Sequence, residues 1–179
     1  MLLYIHGFRT TSQSHKADLL KEYFKDSILI ADFRVSPDQA IEDLEALIQN
    51  NPITGIIASS LGGFYASYLS ERYSLKTVLI NPSIAPYETT RRYLGDNMRE
   101  DGSQFIWSEA DIHALNTYTI ASPTLKNYFV FLQRGDEVLN YTIAQERYHG
   151  AKMVVEERGN HRFEKFERYF HEVSVFFTL

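Results

Sequence analysis

The sequence predicts an α/β fold: about six mostly parallel strands with helices on both faces of the sheet. Three observations carry that prediction. Short β-rich apolar runs alternate with longer segments of helical period along most of the chain. The 179 residues suffice for one domain with one good core. Apolar residues at 44% and charged residues at 23% match ordinary globular usage, which excludes disordered and fibrous classes.

The first run covers residues 2–5 and leads at once into His6-Gly7-Phe8. Residues 14–24 follow as a helix through Leu19, Leu20, Tyr23 and Phe24, and residues 28–32 form the second run. The next helix has a marked start, with Ser36 as N-cap, Pro37 at the first helical position and Gln39 to complete a capping box. Its apolar face is Ile41, Leu44, Leu47 and Ile48, and Asn50, Asn51 and Pro52 end it. Residues 53–58 are the third run, with a helix over 61–73 behind it; residues 77–80 and 128–132 are the fourth and fifth. A helix over 141–148 ends near Gly150, and residues 152–156 are the sixth run. The last helix carries Phe163, Phe166, Phe170, Val173 and Phe177 at helical period.

Between residues 84 and 127 the rhythm breaks. Turn residues (Pro86, Gly95, Asp101-Gly102, Pro123) separate short helical pieces, with no strong strand signal. A long irregular insertion in such a domain is usually functional or mobile. The reading is therefore one domain over residues 1–179, with 84–127 as a reduced cap over the site.

Composition narrows the function. A net charge of −5 lacks the basic footprint of a nucleic-acid binder, and no apolar run is long enough to span a bilayer. The N-terminus has no basic region or cleavage site and reads as a strand, so a cytoplasmic location is the simplest expectation. With no cysteine, disulfides, thiolate metal sites and cysteine nucleophiles are excluded. The six histidines are scattered and no H-E-x-x-H occurs, so no metal or other cofactor is expected.

The chemistry concentrates in Gly55-Ile56-Ile57-Ala58-Ser59-Ser60-Leu61-Gly62-Gly63. A buried strand enters a small-residue turn centred on Ser60, and a helix follows at once. Such an elbow holds a serine on a strained turn with its hydroxyl free above the carboxyl edge of the sheet. Residues two before and two after must be small because strand and helix pass closely. Here they are Ala58 and Gly62, so the usual G-x-S-x-G carries alanine at its first position. Ser59 is the rival, but it has Ile57 and Leu61 at those offsets. A plain strand-to-helix turn would also account for the motif taken alone. The backbone N–H of Leu61 and that of Phe8, after His6-Gly7, are the candidate oxyanion-hole donors. His6 itself reads as a structural histidine of that loop.

A serine hydroxyl needs a base. Of the histidines, only His161 sits in a short turn after a predicted strand, in Gly159-Asn160-His161-Arg162-Phe163, where α/β sites collect. His15 and His171 fall in helices, His113 in the insertion and His149 near a helix end. The base needs an orienting carboxylate. Asp136 stands just past the fifth run in Arg134-Gly135-Asp136-Glu137-Val138, with Glu137 as its neighbouring rival. The chain order Ser60, Asp136, His161 is that of elbow hydrolases.

With these residues in view, MLLYIHGF, the SSLGG elbow, the GDEVL turn and the GNHRFE segment resemble the small bacterial esterase family of YqiA-like and YcfP-like proteins, within the α/β-hydrolase superfamily. The resemblance runs from residue 2 to about residue 177. It implies a reduced α/β-hydrolase fold, with Ser60 as nucleophile, Asp136 as acid and His161 as base. It also implies esterase or thioesterase activity on a small acyl substrate.

Three functions stay open at this stage: an esterase acting on carboxylic esters, an acyl-CoA thioesterase with the same catalytic parts, and a non-catalytic binding protein on a hydrolase scaffold. Phe64, Tyr65 and Phe105-Ile106-Trp107 are candidates for an acyl pocket or for plain core. The sequence carries no signature of oligomeric state.

Overall fold

The computed structural model describes residues 1–179. Its elements follow the expected alternation: β1 (Leu2–Ile5), α1 (His15–Phe24), β2 (Ile28–Ile30), α2 (Pro37–Asn50), β3 (Gly55–Ser59), α3 (Leu61–Tyr73), β4 (Lys76–Ile80), α4 (Pro86–Thr89), β5 (Gly95–Met98), β6 (Gln104–Trp107), α5 (Glu109–Thr117), β7 (Tyr128–Gln133), α6 (Tyr141–Arg147), β8 (Lys152–Glu156) and α7 (Phe170–Phe177). Six strands form one sheet in the order β2-β1-β3-β4-β7-β8, every neighbouring pair parallel.

Both faces of this sheet are dry, which is why its strands read as continuous apolar runs. Successive side chains point to opposite faces. Leu3, Ile5, Ile56, Ala58, Leu79, Val130 and Leu132 pack against α2, α3, α5 and α6 through Ile41, Leu44, Leu61, Leu69, Ile112, Leu115 and Ala144. Leu2, Tyr4, Ile57, Val78, Ile80, Phe129 and Phe131 meet α1 and the C-terminal segment through Leu20, Phe24, Phe163, Phe166, Phe170 and Val173. The second layer is largely aromatic: Phe131 makes edge contacts with Phe163 and Phe166 at centroid distances of 6.2 and 5.1 Å. No helix is long and apolar enough to cross a membrane.

Three local expectations need correction. The C-terminal aromatic stripe is not one helix. Phe163 and Lys165 take positive φ (51° and 62°), a 3₁₀ turn spans Phe166–Tyr169, and the α-helix begins only at Phe170. The phenylalanines still face the sheet, because a turn and a 3₁₀ segment can deliver them to the same layer. The insertion does contain strands, since β5 and β6 pair antiparallel with Met98 opposite Gln104. Of their eight residues only Trp107 is buried, so no apolar alternation marked them in the sequence. The capping box at Ser36 does not form. The Ser36 side chain takes no N–H, and α2 is started by Pro37 and by the Ala40 N–H donating to the Ser36 carbonyl. A full capping box stands instead at Ser108 and Asp111, ahead of α5.

The sheet order reverses its direction of growth between β1 and β3. The crevice above the carboxyl ends of strands at such a switch point is where α/β folds bind ligands. His6-Gly7-Phe8 and Ser60 both leave the sheet there.

Candidate active site

Ser60 sits between β3 and α3 with φ 53° and ψ −125°, outside the regions open to an ordinary L-residue. Strain of this kind costs on the order of 1–3 kcal/mol and persists only where the surroundings over-determine it. Here they do. The Ser60 N–H donates to the Ile80 carbonyl at 3.1 Å, and its own carbonyl accepts from Gly63 and Ser83 N–H, each at 2.9 Å. A Cβ at Gly62 would fall 2.4 Å from the carbonyl oxygens of both Ile5 and His6, so the start of α3 lies directly on the end of β1. Ala58, the departure from the usual elbow, is fully buried and its methyl is part of the core.

The structure brings together the three side chains picked out above. His161 Nε2 lies 2.9 Å from Ser60 Oγ. On the far side of the ring, Nδ1 lies 3.0 and 2.8 Å from the two Asp136 carboxylate oxygens. The Asp136 carboxylate accepts the Nδ1–H, which leaves Nε2 to accept from the serine hydroxyl. Asp136 Oδ1 also accepts the N–H groups of Val138 and Leu139 at 2.9 and 2.8 Å. Its side chain is 2% exposed and that of His161 is 19% exposed, so carboxylate and imidazole are held away from bulk water while the serine side opens outward. A hydroxyl so placed can pass its proton to the imidazole as it attacks an acyl carbon.

The rivals have other partners. Ser59 Oγ lies 3.1 Å from the Tyr4 hydroxyl. Glu137 accepts the backbone N–H of His161 at 3.0 Å, so it positions the histidine's main chain while Asp136 holds its ring. His15, His113, His149 and His171 are all exposed. His6 is 3% exposed, stacks on Phe33 at 4.3 Å, and donates Nδ1–H to the Gly7 carbonyl at 3.0 Å. Burial pushes its pKa down to about 4, so it stays neutral as the fixed base of the loop.

The two candidate oxyanion donors flank the serine. Leu61 is the first residue of α3, where an N–H has no acceptor within the helix. Phe8 follows Gly7, whose added Cβ would stand 3.0 Å from Ser60 Cβ, so its loop runs right beside the serine. The ring of Phe8 is wedged among Tyr93, Phe105 and Trp107.

Two residues that sequence reasoning passed over hold the arrangement. Asn81 directly follows β4 with φ 41° and is 3% exposed. Its Nδ2 donates to the carbonyls of Asn160 and His161 at 3.0 and 3.2 Å, and its Oδ1 accepts the Gln133 N–H at 3.0 Å. Gln133 at the end of β7 accepts the Asn160 N–H at 2.9 Å and donates to Glu156. Burial alone would raise the Glu156 carboxyl, but hydrogen bonds from Tyr169, Gln133 and Arg168 hold it below its ordinary value. A single polar residue directly after an apolar run, as in Ile80-Asn81 or Leu132-Gln133, is the signal that marks them. Gly159 (φ 102°) completes the brace, because a Cβ there would meet the Gln133 side chain at 2.1 Å.

The cleft above Ser60 has a volume of about 470 Å³ and reaches from Phe8 and Leu61 past Tyr93 and Met98 to Val138, Leu139 and His161. The hairpin turn is tied to the loop after β1, with Arg9 Nε donating to the Met98 carbonyl at 3.1 Å and the Glu100 N–H donating to the Arg9 carbonyl at 2.9 Å. The aromatic residues considered for an acyl pocket lie elsewhere. Phe64, Tyr65 and Trp107 are core, and Phe105 and Ile106 line an adjoining groove over the hairpin.

Residues 1–178 match the model of the family described as Uncharacterised protein family (UPF0227). The chain belongs to that family. UPF0227 protein YcfP of Escherichia coli O9:H4 (strain HS) is 25% identical over 190 residues, covering 100% of this chain and 99% of that protein. Among solved structures, Est1E from Butyrivibrio proteoclasticus gives a TM-score of 0.73 at 16% identity, over 96% of this chain and 84% of its own. An esterase from Pyrococcus furiosus gives 0.64 at 18% identity, over 99% and 80%. These likenesses make this UPF0227 chain an α/β-hydrolase fold, built on the parallel sheet described above.

Proposed function

We propose that the chain is a serine esterase that hydrolyses carboxylic acyl esters through an acyl-enzyme. The observation that carries this reading is the continuous relay from Ser60 Oγ through His161 to a buried Asp136, with both links at 3.0 Å or less. The fold shared with an esterase agrees with it.

Ser60 attacks the ester carbonyl while His161 Nε2 takes the hydroxyl proton, and the carbonyl π electrons move onto oxygen. The N–H groups of Phe8 and Leu61 hold that oxyanion; fixed backbone donors need no reorganisation as charge develops. The imidazolium, stabilised by Asp136, returns its proton to the departing alcohol as the C–O bond breaks. Water then attacks the acyl-serine by the same route. His161 takes one proton from the water and passes it to Ser60, releasing the carboxylic acid. Residues 84–127 serve as the cap of this site, contributing Thr89, Thr90, Arg92, Tyr93, Met98, Arg99 and Glu100 to the cleft.

Ser60→Ala tests the reading. Turnover of para-nitrophenyl butyrate should fall by about 10⁵-fold or more, with the circular dichroism spectrum unchanged. Undiminished hydrolysis in the folded variant would remove Ser60 from the mechanism.

A further inference from the structure

The charge around the cleft runs against that of the chain. The protein carries −5, yet the lining of the Ser60 cleft holds four arginines, Arg9, Arg92, Arg99 and Arg162, and one acidic residue, Glu100. Glu100 is already paired with Arg162 at 3.1 Å. The other three arginines form no ion pair, although the charge of Arg99, secondary to hydrogen bonds from Ser103, helps hold the exposed Asp101 carboxyl below its ordinary value. Elsewhere the pattern differs. Arg34, Arg72, Arg91, Arg134 and Arg168 each form an ion pair with a neighbouring acid, whereas Arg147 donates to the Ile120 and Ala121 carbonyls and Arg158 forms no ion pair. Three of the five arginines without an acidic partner are thus gathered at one concave place.

That place is also built. Tyr93 packs its ring against Phe8 at 5.4 Å, beside the candidate oxyanion donor. The guanidiniums of Arg9 and Arg92 lie 5.7 and 5.0 Å from the same ring. An aromatic face restrains a guanidinium without neutralising it. Arg9 is further fixed by Nε donating to the Met98 carbonyl at 3.1 Å, which leaves its terminal Nη donors free. Free planar forks of this kind match phosphate and carboxylate oxygens. A cleft walled by one sign of charge also concentrates counter-charged substrate.

Building on the esterase reading, we propose that this cleft selects esters bearing an oxyanionic group, phosphate or carboxylate, and that Arg9, Arg92 and Arg99 bind that group. The oxyanion sits over the Tyr93 end of the cleft while the acyl carbon lies at Ser60.

The test compares matched pairs: mono-para-nitrophenyl glutarate against para-nitrophenyl pentanoate for a carboxylate on the acyl side, and butyrylglycerol phosphate against butyrylglycerol for a phosphate on the alcohol side. In the wild-type protein, kcat/KM for the anionic member of at least one pair should exceed that of its neutral partner about ten- to a hundred-fold at low salt. In an Arg9→Gln/Arg92→Gln variant the ratio should collapse toward one. The pair showing the preference identifies the source of the oxyanion. Calorimetry with pyrophosphate reads the anion site independently of turnover. Saturable binding is expected in the wild-type protein and in Ser60→Ala, with loss in the double arginine variant. Equal kcat/KM within both pairs, or pyrophosphate binding untouched by the arginine substitutions, would overturn the proposal. Absence of all ester turnover with pyrophosphate binding intact would instead strike the esterase reading and leave the anion site standing.

Discussion

The strand-end edge and the 84–127 excursion are two neighbouring regions built on opposite principles. Along the edge, residues from the carboxyl ends of five adjacent parallel strands converge: Phe8 beyond β1, Ser60 beyond β3, Asn81 beyond β4, Asp136 beyond β7 and His161 beyond β8. Most of their polar atoms are buried and paired, and main-chain carbonyls are clamped by side-chain amides. The excursion instead presents an exposed two-stranded ribbon and arginines without acidic partners. The two regions divide the labour. A relay that needs sub-ångström placement is set on the sheet, where packing fixes rotamers. The arginines proposed to bind an anion are set instead on exposed turns and the ribbon, while Trp107 and α5 of the same excursion pack into the core.

Substitutions at the edge should therefore cost far more activity than those on the exposed ribbon, and several variants test that contrast. The largest effect in this set belongs to Asp136→Asn. The side chain keeps its shape but favours the wrong imidazole tautomer, so kcat should fall by about 10³- to 10⁴-fold. Steady-state kinetics with para-nitrophenyl butyrate measure it, and a drop below tenfold would mean the carboxylate does not govern the histidine. Asn81→Ala comes next. It leaves the carbonyls of Asn160 and His161 and the Gln133 N–H without their partner, so kcat should fall by about ten- to a hundred-fold and stability by about 1–3 kcal/mol in urea unfolding. A stability loss with no change in kcat would reduce Asn81 to a packing role.

His6 gives a smaller, pH-dependent effect. Its folded pKa of about 4 lies below the ordinary value of 6.5, so the unfolded chain binds the extra proton between those limits. Stability is full above pH 6.5 and declines as pH falls toward 4, by about 2 kcal/mol between pH 7 and pH 5. His6→Asn should flatten that slope in urea titrations at the two pH values. A wild-type slope of opposite sign would contradict the buried neutral histidine.

Much of this was legible in the sequence, for physical reasons that differ by region. The doubly buried parallel strands announce themselves as apolar runs, and Pro37 marks the start of α2 at the correct residue. Ser60, Asp136 and His161 could be picked out because each follows a strand in a short turn, which topology then gathers on one edge. The ribbon of β5 and β6 was invisible, since its pairing rests on backbone hydrogen bonds with almost no buried side chain to leave a period. The last helix was read too long because the spacing of Phe163 and Phe166 fits helical period, while the positive φ at Phe163 and Lys165 leaves no trace in composition. Asn81 and Gln133 were missed because their value lies in holding main-chain groups of loops that are distant in sequence.

In the proposed mechanism His161 and Asp136 make Ser60 the one reactive hydroxyl of the chain. Fluorophosphonate labelling of the folded protein, with peptide mapping by mass spectrometry, tests it most directly. A single adduct on Ser60 is expected in the wild-type protein, formed at least about a hundred times more slowly in a folded His161→Gln variant. An adduct on Ser59, or no adduct on the folded wild-type chain, would contradict it.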